Sequence, residues 1–193
     1  MRRVHFDLCS GEQTWKAGAK PSGFGEESYS LEINPKQPST WTCDIREAPI
    51  REIKALIGRP VLMTFSPPRT TFSIASCSTH WTAPPNRQPK TTEAIEGQEI
   101  VIAGLDLIRR FDPLYVVVEN PRGLLRKMPF MQDEVLGMIR KTVTYCTYQD
   151  EGRRMKPTDL WINKRLDSIW KPRPMCKNYV YNRLTGEALN PES

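Results

Sequence analysis

The sequence predicts an α/β fold, a mostly parallel sheet with helices on both faces. Three observations carry that expectation. Short apolar runs, Val4 to Leu8, Pro60 to Phe65 and Leu114 to Val118, alternate with stretches of helical spacing. Each run stops at residues that cannot extend a strand: Ser10-Gly11, Ser66-Pro67-Pro68 and Asn120-Pro121. The loops that follow combine small residues, prolines and charges. In open α/β sheets the carboxyl ends of strands are where ligands bind.

The first strand, Val4 to Leu8, runs into Asp7-Leu8-Cys9-Ser10-Gly11-Glu12 and then a helix over Gln13 to Ala19. A strand, a small glycine-containing turn and a helix open a nucleotide-binding unit, because glycine lets the backbone approach a ligand. Only Gly11 is present, so the turn is looser than a full glycine fingerprint. A second strand is expected over Ser28 to Ile33, closed by Asn34-Pro35. Glu32 lies 25 residues after Asp7, where an acidic side chain can accept from ribose hydroxyls. Trp41 to Ile45 reads as a short third strand with Asp44 near its end. Ile50, Ile53 and Ile57 mark a helix stopped by Gly58.

After the Ser66 to Ser73 loop, Ser76 to Thr91 has no periodicity and reads as a mobile loop. It carries His80, Trp81, Arg87 and Lys90, and an aromatic beside basic residues suits base stacking plus phosphate contact. Thr92 is expected to cap a helix whose apolar positions are Ile95, Val101, Ile102, Leu105 and Ile108 and which ends at Asp112-Pro113. The strand Leu114 to Val118 leads into Glu119-Asn120-Pro121-Arg122-Gly123, then Arg126 and Lys127. A short helix is expected over Glu134 to Lys141 and a strand over Thr142 to Tyr148. Arg153-Arg154-Met155-Lys156 precedes Pro157 to Asn163, and the chain from Lys164 reads as a basic, irregular, proline-broken extension.

With 193 residues, one domain is expected, a core over 1–163 and the extension over 164–193. The 28 basic and 22 acidic residues give a net charge of +6, which suits a polyanionic partner. Five cysteines without C-x-x-C or zinc spacing imply reduced thiols and no metal site. No stretch has the length of a membrane span or the form of a secretory leader, so no membrane role and a cytoplasmic location are expected.

Taken in order, Asp7-Leu8-Cys9-Ser10-Gly11, Glu32, Cys43-Asp44-Ile45, Ser66-Pro67-Pro68, Glu119-Asn120-Pro121 and Arg154-Met155-Lys156 resemble the DNA cytosine-5 methyltransferases, in particular compact phage-type members. The resemblance implies a Rossmann-like, S-adenosylmethionine-dependent methyltransferase fold, DNA as partner, a prokaryotic or phage-infected cell, and a monomer in preference to an oligomer. It implies cofactor contacts from Asp7, Cys9, Ser10, Gly11, Glu32, Asp44 and Pro67. Glu119 and Arg154 would hold the target base, and Arg69, His80, Arg122, Arg126, Lys127 and Lys156 would contact DNA. Larger members of that family carry a separate target-recognition domain after this point, and the residues from Lys164 on are expected to be too few for one of ordinary size.

At the family's nucleophilic cysteine this chain has Arg69. A guanidinium stays protonated and has no lone pair to offer, so it cannot add to a base. Three readings remain open from the sequence. Another cysteine, Cys77, supplies the thiolate. Arg69 marks an inactive form that binds cofactor and DNA. Or the scaffold methylates an amino group, as enzymes with Ser/Asp/Asn-Pro-Pro loops do.

Overall fold

The computed structural model describes residues 2–132, 136–148 and 156–174. Seven strands form one sheet: β1 (Val4–Leu8), β2 (Glu27–Glu32), β3 (Trp41–Thr42), β4 (Leu62–Phe65), β5 (Tyr115–Pro121), β6 (Ile139–Thr144) and β7 (Pro157–Ile162). Their order is β3-β2-β1-β4-β5-β7-β6. Pairing is parallel from β3 through β5, and β7 runs antiparallel to both neighbours. The order reverses between β1 and β4, which opens a crevice at their carboxyl ends. Because β7 is reversed, its first residue, Pro157, lies beside the carboxyl end of β5, where Arg122 donates to its carbonyl at 2.9 Å. A proline at the first position of a strand removes no ladder bond that the sheet needs.

Helices cover both faces. On one lie α2 (Ile50–Ile57) and α4 (Thr92–Phe111), whose Ile53, Val101, Leu105 and Ile108 pack with Phe6, Met63, Phe65 and Val118. Gly104 lets α4 approach β4: a Cβ there would stand 2.3 Å from the Phe65 ring. The other face carries α1 (Thr14–Ala19) and α5 (Lys164–Ile169), with Leu166 buried against Leu62, Val117 and Ile162. Among the described residues a further helix, α3 (Cys77–His80), is a single turn.

Several expectations are corrected. Thr91, not Thr92, caps α4, its hydroxyl accepting from the Ala94 amide. Ile95 and Ile102 are each 46% exposed, because Ala94, Gly97, Val101 and Gly104 carry the inward face instead. Ile139 to Lys141 belong to strand β6 rather than a helix, since pairing with β7 outweighs a weak local helical pattern. The segment 76–91 is anchored: Trp81 is buried, stacks on Phe72 at 5.3 Å and donates to the Thr71 carbonyl. Its ring is therefore not available to a base. The extension from Lys164 begins as a packed helix, capped by the Asn163 side chain.

Candidate cofactor and base site

The turn after β1 is shaped by three left-handed residues, Cys9 (φ 53°), Gly11 (φ 46°) and Gln13 (φ 57°). Two of them carry side chains, so the turn holds a conformation that glycine adopts more easily. Glu32, at the end of β2, fixes it. The Gly11 amide donates to Glu32 Oε2 at 2.8 Å and the Asn34 amide to Oε1 at 3.1 Å. Each carboxylate oxygen keeps a second lone pair for a ligand hydroxyl.

Beside this turn lies a cleft of about 210 Å³ between Glu32 and Asp44. Leu31, Ile33, Ile45 and Ile100 give it an apolar lining, and Cys9, Cys43, Ser66 and Pro68 complete it. Ile33 is 60% exposed, an aliphatic surface open to a planar ring. Burial, with Glu32 and Asp7 nearby, pushes the Cys9 thiol up, so it stays protonated. Asp44 does more than the sequence implied. It caps a 3₁₀ turn through the Arg46 amide at 2.8 Å and receives the Arg46 guanidinium at 2.7 Å. That pairing holds its carboxyl below the usual range.

Of the expected cofactor residues, Cys9, Glu32 and Asp44 line this cleft. Gly11 reaches it through its bond to Glu32. Ser10 is buried in the turn with no partner for its Oγ, and Pro67 is buried with its carbonyl facing Asn120. Asp7 lies within the sheet, 0% exposed, at the end of a buried relay. Thr64 Oγ1 donates to Asp7 Oδ1 at 2.6 Å, His5 Nε2 meets Thr64 Oγ1 at 2.8 Å, and Ser28 Oγ meets His5 Nδ1 at 3.2 Å. Burial lowers His5 to about 4 and raises Asp7 to about 7. Asp7 Oδ2 has no partner.

An apolar floor rimmed by two carboxylates, with an orphaned hydroxyl in the adjoining turn, fits an adenosyl group bearing a polar tail. Asp44 would accept from the base amine in competition with Arg46.

The second half of the site joins the ends of β4 and β5. Asn120, 1% exposed, donates through Nδ2 to the Pro67 carbonyl at 3.1 Å, tying the Glu-Asn-Pro end to the Pro-Pro loop. Gly123 permits the same approach: a Cβ there would meet the Phe72 carbonyl oxygen at 2.4 Å. Glu119 sits half-buried between these ends. Burial pushes its carboxyl above the ordinary glutamate range, while Lys156, a Ser66 hydrogen bond, Arg69 and a Tyr145 hydrogen bond pull it down. Burial and the Glu119 charge likewise raise the Tyr145 phenol, which also bonds Thr158. Lys156 Nζ lies 5.7 Å from the Tyr145 ring centre. Ser66 Oγ also accepts from Trp15 Nε1 at 3.0 Å.

The charges of Arg69 and Lys156 thus act on Glu119 from nearby, and Arg154 lies outside the described residues. Arg69 is exposed and shares a cleft of about 510 Å³ with Asn120 and Arg122. Arg122, Arg126 and Lys127 line the next cleft. His80 is turned to Thr91, its Nδ1 2.8 Å from the hydroxyl. Cys77 lines the Arg126 cleft with its thiol donating to the Ile74 carbonyl, and it is not among the groups that perturb Glu119. Sequence reasoning missed Tyr145, Asn120, Ser66 and Trp15 as members of the site. The Ser66 and Asn120 motifs were visible, but nothing local marks Tyr145, which reaches Glu119 only through the pairing of β6 with β7.

Strand order, the reversed β7 and the crevice between β1 and β4 define the Rossmann-like fold of S-adenosylmethionine-dependent methyltransferases. Among solved structures the chain is similar to a mutant of DNMT2 from Spodoptera frugiperda, with a TM-score of 0.57 and 15% identity. The match covers 89% of this chain and 53% of that one, so the chain spans about half the length of this neighbour. No protein-family model and no curated protein matches the sequence. Among the described residues there is no group of three metal-ligating side chains, and no helix is long and apolar enough to cross a membrane.

Proposed function

We propose that this protein binds S-adenosylmethionine in the Glu32–Asp44 cleft and holds a cytosine of DNA against Glu119, on a cytosine-5 methyltransferase scaffold with Arg69 in the nucleophile position. One observation carries the reading. Ser66 lines the cofactor cleft and also hydrogen-bonds Glu119, so a single side chain joins the two halves of the site. A methyl donor on one side and a base on the other would meet there.

The cofactor, when bound, supplies an electrophilic methyl group. The chain's own residues do the rest. Burial favours the protonated form of Glu119, which suits it to donate to the ring nitrogen of a cytosine. Ser66 and Tyr145 fix its orientation, and Lys156 balances its charge when the proton leaves. Arg69 has no lone pair, Cys9 is held protonated, and Cys77 belongs to the neighbouring cleft, so none of these three brings a thiolate to a base at Glu119. The protein as it stands therefore binds both ligands without forming the covalent base adduct.

The test is nucleoside mass spectrometry on mixed-sequence DNA incubated with S-adenosylmethionine. Arg69→Cys is expected to yield 5-methylcytosine and the parent none. Adding Glu119→Gln should then cut the yield about 10²-fold. An Arg69→Cys protein that binds cofactor and DNA yet leaves the bases unmodified would sink the proposal.

A further inference from the structure

Beyond the base pocket, five cations converge on one cleft of about 860 Å³: Arg87, Arg122, Arg126, Lys127 and Arg140. Among the described residues no acidic side chain lines it. Arg140 reaches in from β6 and donates to the Arg126 backbone carbonyl at 3.2 Å, which fixes the Arg140 guanidinium beside that turn of the chain. The carboxylate paired with Arg126 belongs to Asp159, at 3.6 Å from Arg126 Nε, and its other oxygen accepts from the Thr142 hydroxyl at 2.7 Å. Asp159 is 1% exposed, behind the cleft rather than in it. Burial and the nearby charges of Arg140 and Arg122 work against the positive charge on Arg126. Five cations drawn together, with Asp159 the one carboxylate paired to them among the described residues, form a site for a polyanion.

The shape says which polyanion. Ile74 and Arg122 line both this cleft and the one that holds Arg69 and Asn120, so the two are continuous. The trough leads from the Glu119 end of the site to the cation cluster. At the joint Ile74 is 73% exposed, an apolar step between two charged stretches. A strand of nucleic acid alternates in the same way, with apolar sugar and base faces between phosphates. We propose that this trough binds the phosphodiester backbone that flanks the base at Glu119, and that Arg87 and Arg140 belong to that surface together with Arg122, Arg126 and Lys127. The inference rests on the reading that a nucleobase is held at Glu119. The same chemistry is offered by DNA and RNA strands, and a free polyphosphate is the competing occupant.

The experiment is fluorescence anisotropy with labelled single-stranded DNA, duplex DNA and RNA of one sequence, over about 50 to 200 mM salt. S-Adenosylmethionine binding is measured by calorimetry on the same samples. The variant combines Arg87→Gln, Arg122→Gln and Lys127→Gln, which spares Arg126 and Arg140 and their internal bonds. At least one of the three strands is expected to bind the parent. The triple variant should weaken that binding more than ~10-fold and lower the salt slope by about 2 to 3, at roughly 0.7 to 0.9 per phosphate contact. Cofactor affinity should stay within about twofold, because the variants leave the Glu32 cleft intact. Equal affinity and slope in parent and variant, with cofactor still bound, overturns the trough and leaves the base-pocket reading standing. Competition by inorganic triphosphate as strong as by the oligonucleotide, at equal phosphate, also overturns it. A parent that binds neither cofactor nor any strand removes both readings.

Discussion

Replacing Asn120 with alanine tests whether the site is held together by one buried bond. The side chain is 1% exposed, and its Nδ2 spans 53 residues of sequence to reach the Pro67 carbonyl at 3.1 Å. Alanine leaves that carbonyl buried beside the end of β5 without its donor. An orphaned buried acceptor costs about 1–3 kcal/mol. In a domain of this size each kcal/mol moves the melting temperature by about 2–4 °C. The expected drop is therefore about 2–12 °C, with the urea m-value unchanged because the surface exposed on unfolding is the same. Thermal and urea unfolding, followed by tryptophan fluorescence, read the loss. A functional consequence accompanies it. In the Arg69→Cys background, methyl transfer should fall more than cofactor affinity, since the Pro67–Arg69 segment loses its anchor while Glu32 keeps its bonds to the Gly11 and Asn34 amides. An Asn120→Ala protein that melts within about 1 °C of the parent would refute the tether.

Two further outcomes follow from the cofactor half of the site. Asp7, raised from 3.8 to about 7 by burial, binds a proton more tightly in the folded chain than in the unfolded one. The stability that this group contributes is complete below about pH 4 and is lost as pH rises through about 7. Asp7→Asn, which keeps an acceptor for Thr64, should match the parent near pH 4 and exceed it near pH 8; parallel melting curves across that window would refute the assignment. Glu32→Gln places an amide group against the Gly11 and Asn34 amides that the carboxylate now accepts from. Losing charged hydrogen bonds of about 1.5–3 kcal/mol should weaken S-adenosylmethionine about 10- to 150-fold by calorimetry; affinity unchanged within twofold would remove Glu32 from the cofactor's contacts.

The parts of the fold legible in the sequence were those with a local signature. Strands β1, β4 and β5 announced themselves as apolar runs ended by proline or glycine, and α2 by isoleucines at helical spacing with Gly58 after them. Glu32 and Glu119 could be placed because they close strands whose ends meet in the crevice. What the sequence hid depends on long-range pairing. Trp81 looks like a loop aromatic, yet it stacks on Phe72 and fills the core beneath the Pro-Pro loop. Asp44 reads as a ligand residue, and its closest partner is Arg46, two residues on. The strand β6 has no register of its own until β7 supplies one, so Ile139 to Lys141 resembled a helix. Tyr145 arrives at Glu119 by the same route.

The reversed strand β7 also sets when the site can exist. Glu119 faces Leu160 across the antiparallel ladder, and Lys156 stands just ahead of that strand, whereas the Cys9 turn belongs to its opposite end of the chain. A growing chain can pair β1, β2, β4 and β5 in the order they emerge, but its charged pocket lacks one wall until residues beyond 156 arrive and insert between β5 and β6. Contacts of that sequence separation form late and slowly. On the proposed reading, partly made copies of the protein would carry the Glu32–Asp44 cleft before they carry the Glu119 pocket, so that the ability to bind the donor would precede the ability to hold a base.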